Sequence, residues 1–481
     1  MERYGLVIIG GGVGGLVAAS GAAQFGARVA LVDKGRLGGD CLWAGCVPTK
    51  RLVHSAKVAS LIRRATEFGL STGDGLKVDF PRVMESMRAV QGRIGENDDP
   101  ERFRKMGVTV IFGSGRFLDR KTFEVNGRRL TGRRFLIATG SGPVMLPIPG
   151  LKESGALTNE SVLKLERLPE SIAILGAGPI GMEYAQVFSR LGSKVTVIEK
   201  MDQILPREDK EVSDHLQKIL EAAGIKIDVC TEVKEVRRDG GRVRLDALCP
   251  TGGKTYDAEE VMVAIGRAPN VEGLGLEAAG VEYDKRKGIK VDESLRTSNR
   301  DIYACGDVAG PYAFTHVAEY QAGIVLSNAL FPFIRRKADY RVVPWTTFTD
   351  PELARVGMTE QEARGKHGNA VRVYRHYFRD NDRAVIEGEG NGIIKLVCDG
   401  KQRILGAHIL GPHAGELLSE YVLAMKTNTP VTKISRSIHV YPTVAQGLKR
   451  AADQYYREKL FGGGWFPGLM RWFVRGGRQG G

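Results

Sequence analysis

Two cysteines stand close together near the start of the chain, Cys41 and Cys46 in the segment GGDCLWAGCVPTK. A thiolate is both the nucleophile of disulfide exchange and a soft metal ligand, so this pair suits a redox couple or half of a metal site. No second close pair of Cys or His residues completes a zinc site, and we expect no metal site. Six cysteines in 481 residues are too few for a disulfide scaffold, which favours a catalytic pair in a reducing compartment.

The spacing of the two cysteines leaves their pairing open. If the residues after Asp40 begin a regular helix, positions five apart are separated by roughly 8–9 Å at Cα. A disulfide needs about 4.4–6.8 Å. Either the sulfurs do not bond, or the first turn is distorted. Proline and glycine residues in the segment favour distortion: Gly38, Gly39, Gly45 and Pro48.

The elements that would position these cysteines form one unit that occurs twice. Each copy is an apolar strand, a glycine loop that opens a small-residue helix, and a second strand that ends at an acid. Such glycines let a pyrophosphate approach the helix N-terminus, and the acid accepts hydrogen bonds from ribose hydroxyls. The sequence therefore predicts two dinucleotide sites. Their residues are Gly10, Gly12, Gly15 and Asp33 in the first copy, and Gly176, Gly178, Gly181 and Glu199 in the second.

Further residues refine the prediction of two dinucleotide sites. Glu199 would repel a 2′-phosphate, so we expect the second site to prefer NAD(H) to NADP(H), although Lys200 follows it. Thr139 and Gly140 follow the apolar strand of RFLIATGSGP, and Asp307 follows that of DIYACGDVAG. We interpret both segments as strand ends facing a cofactor; a buried-turn aspartate is the alternative for Asp307.

From about residue 342 the pattern changes to short alternating segments, typical of an α+β unit.

Together these segments resemble the flavoprotein disulfide reductases of the pyridine nucleotide type, the family of lipoamide dehydrogenase, glutathione reductase and mercuric reductase. The resemblance spans about residues 4–455 and rests on the cysteine segment, both glycine loops, ATG, CGDVAG and ILGAHILGPHAGELL. It implies an α/β fold with two Rossmann-like domains, for FAD and NAD(P), and a C-terminal α+β domain that forms a homodimer. The expected boundaries are 1–150 and 276–341 for FAD, 151–275 for NAD(P), 342–460 for dimerisation and 461–481 for a tail.

The resemblance also implies a role for each residue of the site. Cys41 and Cys46 would form a redox-active disulfide, with Cys46 nearest the flavin and Cys41 facing the substrate. Lys50 would reach the flavin N5 and pair with Glu183, and Asp307 would hold the ribitol chain. The two cysteines would then relay two electrons from NADH through FAD to an acceptor.

The C-terminal motif departs from that of lipoamide dehydrogenase. In SIHVYPTVAQGLKR, Tyr441 stands where the family's acid/base histidine is expected, and Gln446 replaces its orienting glutamate. An unperturbed Tyr has a pKa of about 10 against about 6.5 for His, so Tyr441 is a poor base near neutral pH. His439 would substitute only if the loop were rearranged. The motif resembles the mercuric reductase branch, but the vicinal cysteine pair of that branch is missing, since the last cysteine is Cys398.

The remaining features concern partners and location. The formal charge of +14 is spread along the chain without a stacking motif or recognition helix, so we expect no nucleic acid partner. The chain shows neither a secretory signal nor an apolar run of about 20 residues, and we place it in the cytoplasm. The tail 461–481 interleaves aromatic residues with arginines, as an interfacial anchor does; packing against the dimer or a partner is the alternative.

The sequence thus predicts an FAD-dependent NAD(P)H oxidoreductase whose acceptor is a metal ion, a quinone or a small disulfide. An atypical dihydrolipoamide dehydrogenase that acts on a lipoyl protein is the first alternative. A non-catalytic, redox-sensing flavoprotein is the second.

Overall fold

Strands alternate with helices through the first part of the chain, and a mainly antiparallel sheet follows. The computed structural model describes residues 1–71, 73, 75–331, 333–461 and 465–474, without the side chains of residues 465–467. Its residues fall into two units. The first unit comprises Met1–Lys200 and Thr231–Asp339, and the second comprises Met201–Cys230 and the residues from Tyr340 onward.

The strands are, in chain order, β1 (Glu2–Ile9), β2 (Val29–Asp33), β3 (Val108–Phe112), β4 (Gly115–Phe117), β5 (Thr122–Val125), β6 (Arg128–Ile137), β7 (Ser141–Pro143), β8 (Ser171–Leu175), β9 (Lys194–Ile198), β10 (Lys226–Asp228), β11 (Glu232–Asp239), β12 (Arg242–Cys249), β13 (Gly252–Ala258), β14 (Glu260–Val263), β15 (Arg267–Pro269), β16 (Tyr283–Asp284), β17 (Gly288–Ile289), β18 (Ile302–Ala304), β19 (Pro344–Thr347), β20 (Glu352–Gly357), β21 (Arg372–Tyr377), β22 (Ile393–Cys398) and β23 (Ile404–Gly411).

The helices are α1 (Val13–Gln24), α2 (Gly39–Trp43), α3 (Cys46–Arg63), α4 (Phe80–Gly95), α5 (Pro100–Lys105), α6 (Pro179–Leu191), α7 (Lys210–Ala222), α8 (Thr315–Leu330), α9 (Glu360–His367), α10 (Asp382–Ile386), α11 (Ala414–Lys426), α12 (Val431–Arg436), α13 (Gln446–Phe461) and α14 (Trp465–Val474). No helix in the described part of the chain is long and apolar enough to cross a membrane.

The first sheet of the first unit is mixed. Its parallel part has the order β3-β2-β1-β6, with β18 also parallel to β6, and the antiparallel strands β5 and β4 extend it. Because parallel strands end at one edge of a sheet, the residues that follow them come together there. Gly10 follows β1, Asp33 ends β2, Thr139 follows β6 and Asp307 follows β18. These four predicted site residues therefore share one edge.

Strand β1 shows why this sheet is stable. Leu6 and Ile8 pack into one apolar core, Val7 and Ile9 into another on the opposite face, and each is at most 5% exposed. A strand covered on both faces needs an almost unbroken apolar run, which LVII supplies.

The second glycine loop belongs to another parallel set in the first unit. Strand β8 pairs in parallel with both β9 and β14, and α6 connects β8 to β9. Gly176 follows β8 directly and Glu199 follows β9. The same strand, glycine loop, helix and strand order thus occurs twice, as the sequence predicts.

The second unit contains an antiparallel sheet of the order β19-β20-β23-β22-β21. Its apolar core joins the sheet to α11, α12 and α13. The α/β fold with a C-terminal α+β domain is therefore confirmed.

Candidate functional site

The two cysteines lie on either side of a break between helices. Cys41 is in α2, which ends at Trp43, and Cys46 is the first residue of α3. Ala44 (φ −142°) and Gly45 (φ −117°, ψ −111°) leave helical conformation between them. The segment therefore takes the distorted course that its glycines and proline favour. Both thiols are free in this structure.

Buried amides stabilise the break. Gln91 donates through Nε2 to the carbonyls of Leu42 (3.1 Å) and Trp43 (3.0 Å), and Asn159 donates through Nδ2 to that of Ala44 (3.1 Å). Gln91 and Asn159 are both buried. These amides satisfy carbonyl groups that an interrupted helix leaves without an intrahelical partner. No sequence motif marked either residue.

The environment of the cysteines makes them chemically different. A hydrogen bond from Cys41 lowers the pKa of Cys46 to about 6, and Thr315 and the charge of Lys50 act in the same direction against burial. The hydrogen bond to Cys46, together with burial, raises the pKa of Cys41. Near neutral pH, Cys46 is therefore a thiolate and Cys41 a protonated thiol that donates to it.

Lys50 and Glu183 form the ion pair that the resemblance implies. Lys50 Nζ lies 2.9 Å from Glu183 Oε2 and 3.2 Å from Oε1, and Glu183 is 3% exposed. Burial disfavours the ammonium, but the charge and hydrogen bonds of Glu183 outweigh it, so the pKa of Lys50 is raised. The pair keeps a positive charge beside the Cys46 thiolate.

Thr315 is a residue of this site that the sequence did not reveal. It begins α8, and its Oγ1 lies 3.5 Å from Cys46 Sγ. The hydroxyl lowers the pKa of Cys46. Thr315 and Cys46 are 269 positions apart, and no pattern in the segment YAFTHVAEY marks the threonine.

The first glycine loop has the shape that a pyrophosphate requires. A Cβ at Gly10 (φ +110°) would lie 2.2 Å from the carbonyl oxygen of Ala138, and one at Gly15 would lie 1.9 Å from that of Gly10. A Cβ at Gly12 would meet only Gly39 Cα, at 3.8 Å. Gly10 and Gly15 are therefore needed for packing, whereas Gly12 keeps open the space that FAD would fill.

The second loop repeats this division of roles. A Cβ at Gly176 (φ +102°) would lie 2.7 Å from the carbonyl oxygen of Ala264, and one at Gly181 would lie 2.0 Å from that of Gly176. At Gly178 the nearest atom would be 3.9 Å away. Gly178 precedes α6 without a side-chain cap, as Gly12 precedes α1. The second loop thus fits a nicotinamide dinucleotide.

The two strand-ending acids hold their loops in the same way. Asp33 Oδ2 accepts from the N–H of Gly11 at 2.7 Å, and Glu199 Oε2 accepts from that of Ala177 at 2.7 Å. Both donors are the residues between the first and second glycines. Each carboxylate therefore lies beside its loop, where a ribose next to the pyrophosphate would meet it.

A polar network connects Asp307 to the cysteine segment. Ser141 Oγ donates to Asp307 Oδ2 (2.5 Å), Arg267 Nε donates to Ser141 Oγ (2.8 Å), and Arg267 also pairs with Asp40 (3.1 Å). Asp40 directly precedes Cys41. The sequence did not reveal these partners of Asp307. The segment IGRAPN, with a glycine, an arginine and a proline after β14, is the signal that would have indicated Arg267.

Thr139 and Gly140 are fixed by another part of that segment. Thr139 Oγ1 donates to the carbonyl of Asn270 (2.7 Å), and Asn270 Nδ2 donates to that of Thr139 (2.9 Å). The N–H of Asn270 donates to the Gly140 carbonyl at 2.9 Å. This exchange shapes the turn after β6, on the sheet edge that also carries Asp307.

Trp43 packs against Leu37 and Arg36. Its Nε1 donates to the Leu37 carbonyl at 2.7 Å, and the Arg36 guanidinium lies 3.8 Å from its ring centroid. The ring lines a cavity of about 330 Å³ whose other walls include Asp98 and Phe112. Trp43 is therefore a packing residue in this structure.

Tyr441 lies in the second unit, whereas the other predicted site residues lie in the first. Its side chain is 63% exposed, and a hydrogen bond with Asp382 raises its pKa. Tyr441 is thus a donor near neutral pH rather than a base. His439, the possible substitute base, has a 10% exposed side chain and lies 3.2 Å from both carboxylate oxygens of Glu420.

Metal ligation requires several suitable side chains together. Among the described residues, no group of three or more His, Cys, Asp or Glu side chains is arranged to hold a metal ion.

Comparisons with known proteins agree with this geometry. The family described as pyridine nucleotide-disulphide oxidoreductase matches residues 4–322, and its dimerisation domain matches residues 343–452. Mercuric reductase from Staphylococcus aureus is 35% identical over 450 residues, which cover 93% of this chain and 82% of that protein. Dihydrolipoyl dehydrogenase from Bacillus subtilis (strain 168) is 36% identical over 468 residues, which cover 94% and 97%.

A solved structure gives the same result. The Cu(II) complex of the HOCl-induced flavoprotein disulfide reductase RclA from Escherichia coli matches with a TM-score of 0.84 at 30% identity, covering 92% of this chain and 98% of that one. Two glycine loops that fit dinucleotides, a polarised pair of thiols and a matching dimerisation domain occur together in one chain. The chain therefore belongs to the pyridine nucleotide-disulphide oxidoreductase family and is an FAD-dependent enzyme that uses NAD(P)H.

Proposed function

We propose that the enzyme passes electrons from NADH through FAD and the Cys41–Cys46 pair to a metal ion, as a mercuric reductase-like oxidoreductase. With a one-electron acceptor such as Cu²⁺, one NADH and two Cu²⁺ ions would give NAD⁺, a proton and two Cu⁺ ions. A quinone is a second acceptor that the same site suits, because it, like a metal ion, needs no strong base beside the thiols. A small disulfide is the third candidate acceptor.

The observation that carries this proposal is the protonation of the site: one of the two thiols is a thiolate, and Tyr441 is not a base. Cys46 is a thiolate near neutral pH, and Cys41 is the partner that receives or loses the proton. Dithiol substrates need a base that takes up a thiol proton, and Tyr441, with its pKa raised by Asp382, does not supply one. A soft or redox-active metal ion binds a thiolate directly.

The names of the relatives support this choice. Mercuric reductases from Staphylococcus aureus and Lysinibacillus sphaericus are 35% and 34% identical to the chain, and the matching RclA structure is a Cu(II) complex. We infer from them that a metal acceptor is compatible with this scaffold.

The residues of the chain divide the work. FAD, when bound, supplies the two-electron step between the nicotinamide and the thiols. Glu183 holds Lys50, whose charge favours the Cys46 thiolate, and Thr315 supports the same state. The Cys46 thiolate and, once its proton has left, Cys41 would bind the acceptor, and Asp33, Thr139, Gly140 and Asp307 would orient FAD at the sheet edge. Glu199 would select NADH in the second loop.

The test is steady-state turnover under anaerobic conditions. NADH oxidation is measured with Cu²⁺ and with Hg²⁺, and dihydrolipoamide oxidation is measured with NAD across pH 6–10. We expect brisk metal reduction that Cys41→Ser abolishes, together with slow dihydrolipoamide oxidation that Tyr441→His raises at least tenfold. Tyr441→Phe serves as the control, because it removes the hydroxyl without adding a base.

An atypical dihydrolipoamide dehydrogenase is the second candidate, and one observation favours it. The dihydrolipoyl dehydrogenase of Bacillus subtilis is as similar as the mercuric reductases, with 97% of its length covered. Brisk dihydrolipoamide turnover by the wild type, with no gain from Tyr441→His, would support this candidate and contradict a metal acceptor.

We also propose that the enzyme is a cytoplasmic homodimer. All six cysteines are free, which suits a reducing compartment. Large apolar side chains are exposed within the matched dimerisation domain, as an interface between two copies requires: Leu423, Ile438, Val440 and Tyr441. Light scattering and cell fractionation test the two statements.

A further inference from the structure

The last described helix, α14, exposes an unusual amount of apolar surface. The exposed fraction is 40% for Leu469, 39% for Met470, 56% for Trp472, 62% for Phe473 and 83% for Val474. Leu469, Trp472 and Phe473 share one face because they stand at positions i, i+3 and i+4. The rings of Trp472 and Phe473 touch edge to face at a centroid distance of 5.2 Å.

The matched dimerisation domain ends before this surface. The dimerisation domain matches residues 343–452, which include the other exposed apolar segment around Ile438 and Val440. Helix α14 (Trp465–Val474) begins after that match ends. Its apolar face therefore lies outside the part of the chain that matches the dimerisation domain.

The charge around α14 indicates what covers it. Residues 460–481 contain three arginines, Arg471, Arg475 and Arg478, and neither Asp nor Glu. Arg475 and Arg478 lie outside the described residues, and only their charge is known from the sequence. The whole chain carries +14. Tryptophan and phenylalanine next to arginine, without acids, suit the headgroup region of an anionic bilayer, where aromatic rings insert and guanidinium groups meet phosphate.

We propose that α14 lies flat on an anionic lipid bilayer and holds the enzyme at the membrane surface. Leu469, Trp472 and Phe473 enter the boundary between headgroups and acyl chains, and the positive charge of the segment attracts the lipid phosphates. A short helix binds weakly by itself, but a homodimer presents two copies, and their joint binding is stronger than that of one. The proposal is independent of which acceptor the enzyme reduces.

The test is flotation of the FAD-loaded, full-length enzyme with two kinds of vesicle, phosphatidylcholine alone and phosphatidylcholine with phosphatidylglycerol. We expect recovery with the anionic vesicles only, weakened by salt. The double variant Trp472→Ser/Phe473→Ser and the single variant Arg471→Glu should each lower the bound fraction at least fivefold. The paired control is Phe25→Ser/Leu248→Ser, which removes two exposed apolar side chains elsewhere and should bind as the wild type does.

Several outcomes would overturn the proposal. Equal recovery of wild type and Trp472→Ser/Phe473→Ser with anionic vesicles is one, and no binding of the wild type is another. A change in oligomeric state on Trp472→Ser/Phe473→Ser, without vesicle binding by the wild type, would instead assign the face to a second copy. NADH-dependent reduction of a soluble dye and the thermal midpoint, measured for every variant, show that the fold is intact.

Discussion

At the scale of single residues, the site separates two identical side chains into different chemical roles. Cys46 has its pKa lowered to about 6 and Cys41 has its pKa raised, because each is hydrogen-bonded to the other and Cys46 also faces Lys50 and Thr315. The pKa of Cys46 is below that of an ordinary thiol, about 8.5. Its thiolate therefore stabilises the fold fully above the ordinary value, and this contribution is lost as the pH falls through about 6.

Thr315→Val should raise the pKa of Cys46. Loss of a hydrogen bond to the thiolate costs about 1 kcal/mol, which corresponds to about 0.7 pH unit. The measurement is the rate of iodoacetamide alkylation of Cys46 against pH, in the reduced enzyme with the background Cys41→Ala in both proteins. Thr315→Ser keeps the hydroxyl and should retain the parent profile. A profile for Thr315→Val that coincides with its parent would show that the hydroxyl does not stabilise the thiolate.

At the scale of elements, the two glycine loops assign different roles to glycines that look alike in the sequence. In each loop the first and third glycines allow close backbone packing, and the second borders open space. The first and third glycines therefore contribute to folding, and the second contributes to binding of the dinucleotide.

Gly178→Ala and Gly181→Ala should therefore fail in different ways. Gly178 has φ −73° and ψ 179°, which alanine adopts, and its Cβ would have room, so the variant should fold with an unchanged thermal midpoint. It should raise the KM for NADH about tenfold, because the methyl group occupies space needed by the pyrophosphate. Gly181→Ala would place Cβ 2.0 Å from the Gly176 carbonyl oxygen and should lower the thermal midpoint. Equal losses of stability in both variants would contradict this division.

How much of the site the sequence reveals depends on how local the signal is. Strand, loop, helix and acid are contiguous in each dinucleotide unit, so the pattern predicted Gly10, Asp33, Gly176 and Glu199 as members of two loops. The partners that come from remote segments carry no local pattern. Thr315 reaches Cys46 across 269 positions, and Ser141 reaches Asp307 across 166. Such contacts follow from the assembled sheet edge rather than from any short motif.

At the scale of the whole molecule, a buried ion cluster ties the segment Met201–Cys230 to the antiparallel sheet of the second unit. Lys395 on β22 lies 2.7 Å from Asp209, 2.8 Å from Glu211 and 2.9 Å from Glu360. The side chains of Lys395 and Asp209 are both 3% exposed. The expected boundary of 151–275 for the NAD(P) domain follows the dinucleotide pattern, which contains no information on this buried contact, and it stays a prediction.

Lys395→Met should destabilise the protein strongly, because it removes the cation that is paired with the buried carboxylate of Asp209. Breaking a buried pair in this way costs about 3–5 kcal/mol. The measurement is urea unfolding of Lys395→Met beside Lys366→Met, which removes an exposed lysine of the same unit and should cost under about 0.5 kcal/mol. Similar midpoints for the two variants would show that the cluster does not hold the segment.

The pH dependence of the difference in unfolding free energy between wild type and Lys395→Met identifies the cause of the destabilisation. Burial opposes ionisation of Glu211 and Glu360, but hydrogen bonds from Arg375 and Lys395 to Glu211, and from Lys395 and Arg364 to Glu360, lower the pKa of each carboxyl. Their contribution to stability is therefore complete above the ordinary carboxyl pKa of about 4.3 and is lost as the pH falls through the lower folded values. Protonated carboxyls no longer need Lys395, so the gap between wild type and Lys395→Met should narrow below about pH 4. A gap that stays constant down to acid unfolding would mean that the lost packing of the lysine stem, and not its charge, causes the destabilisation.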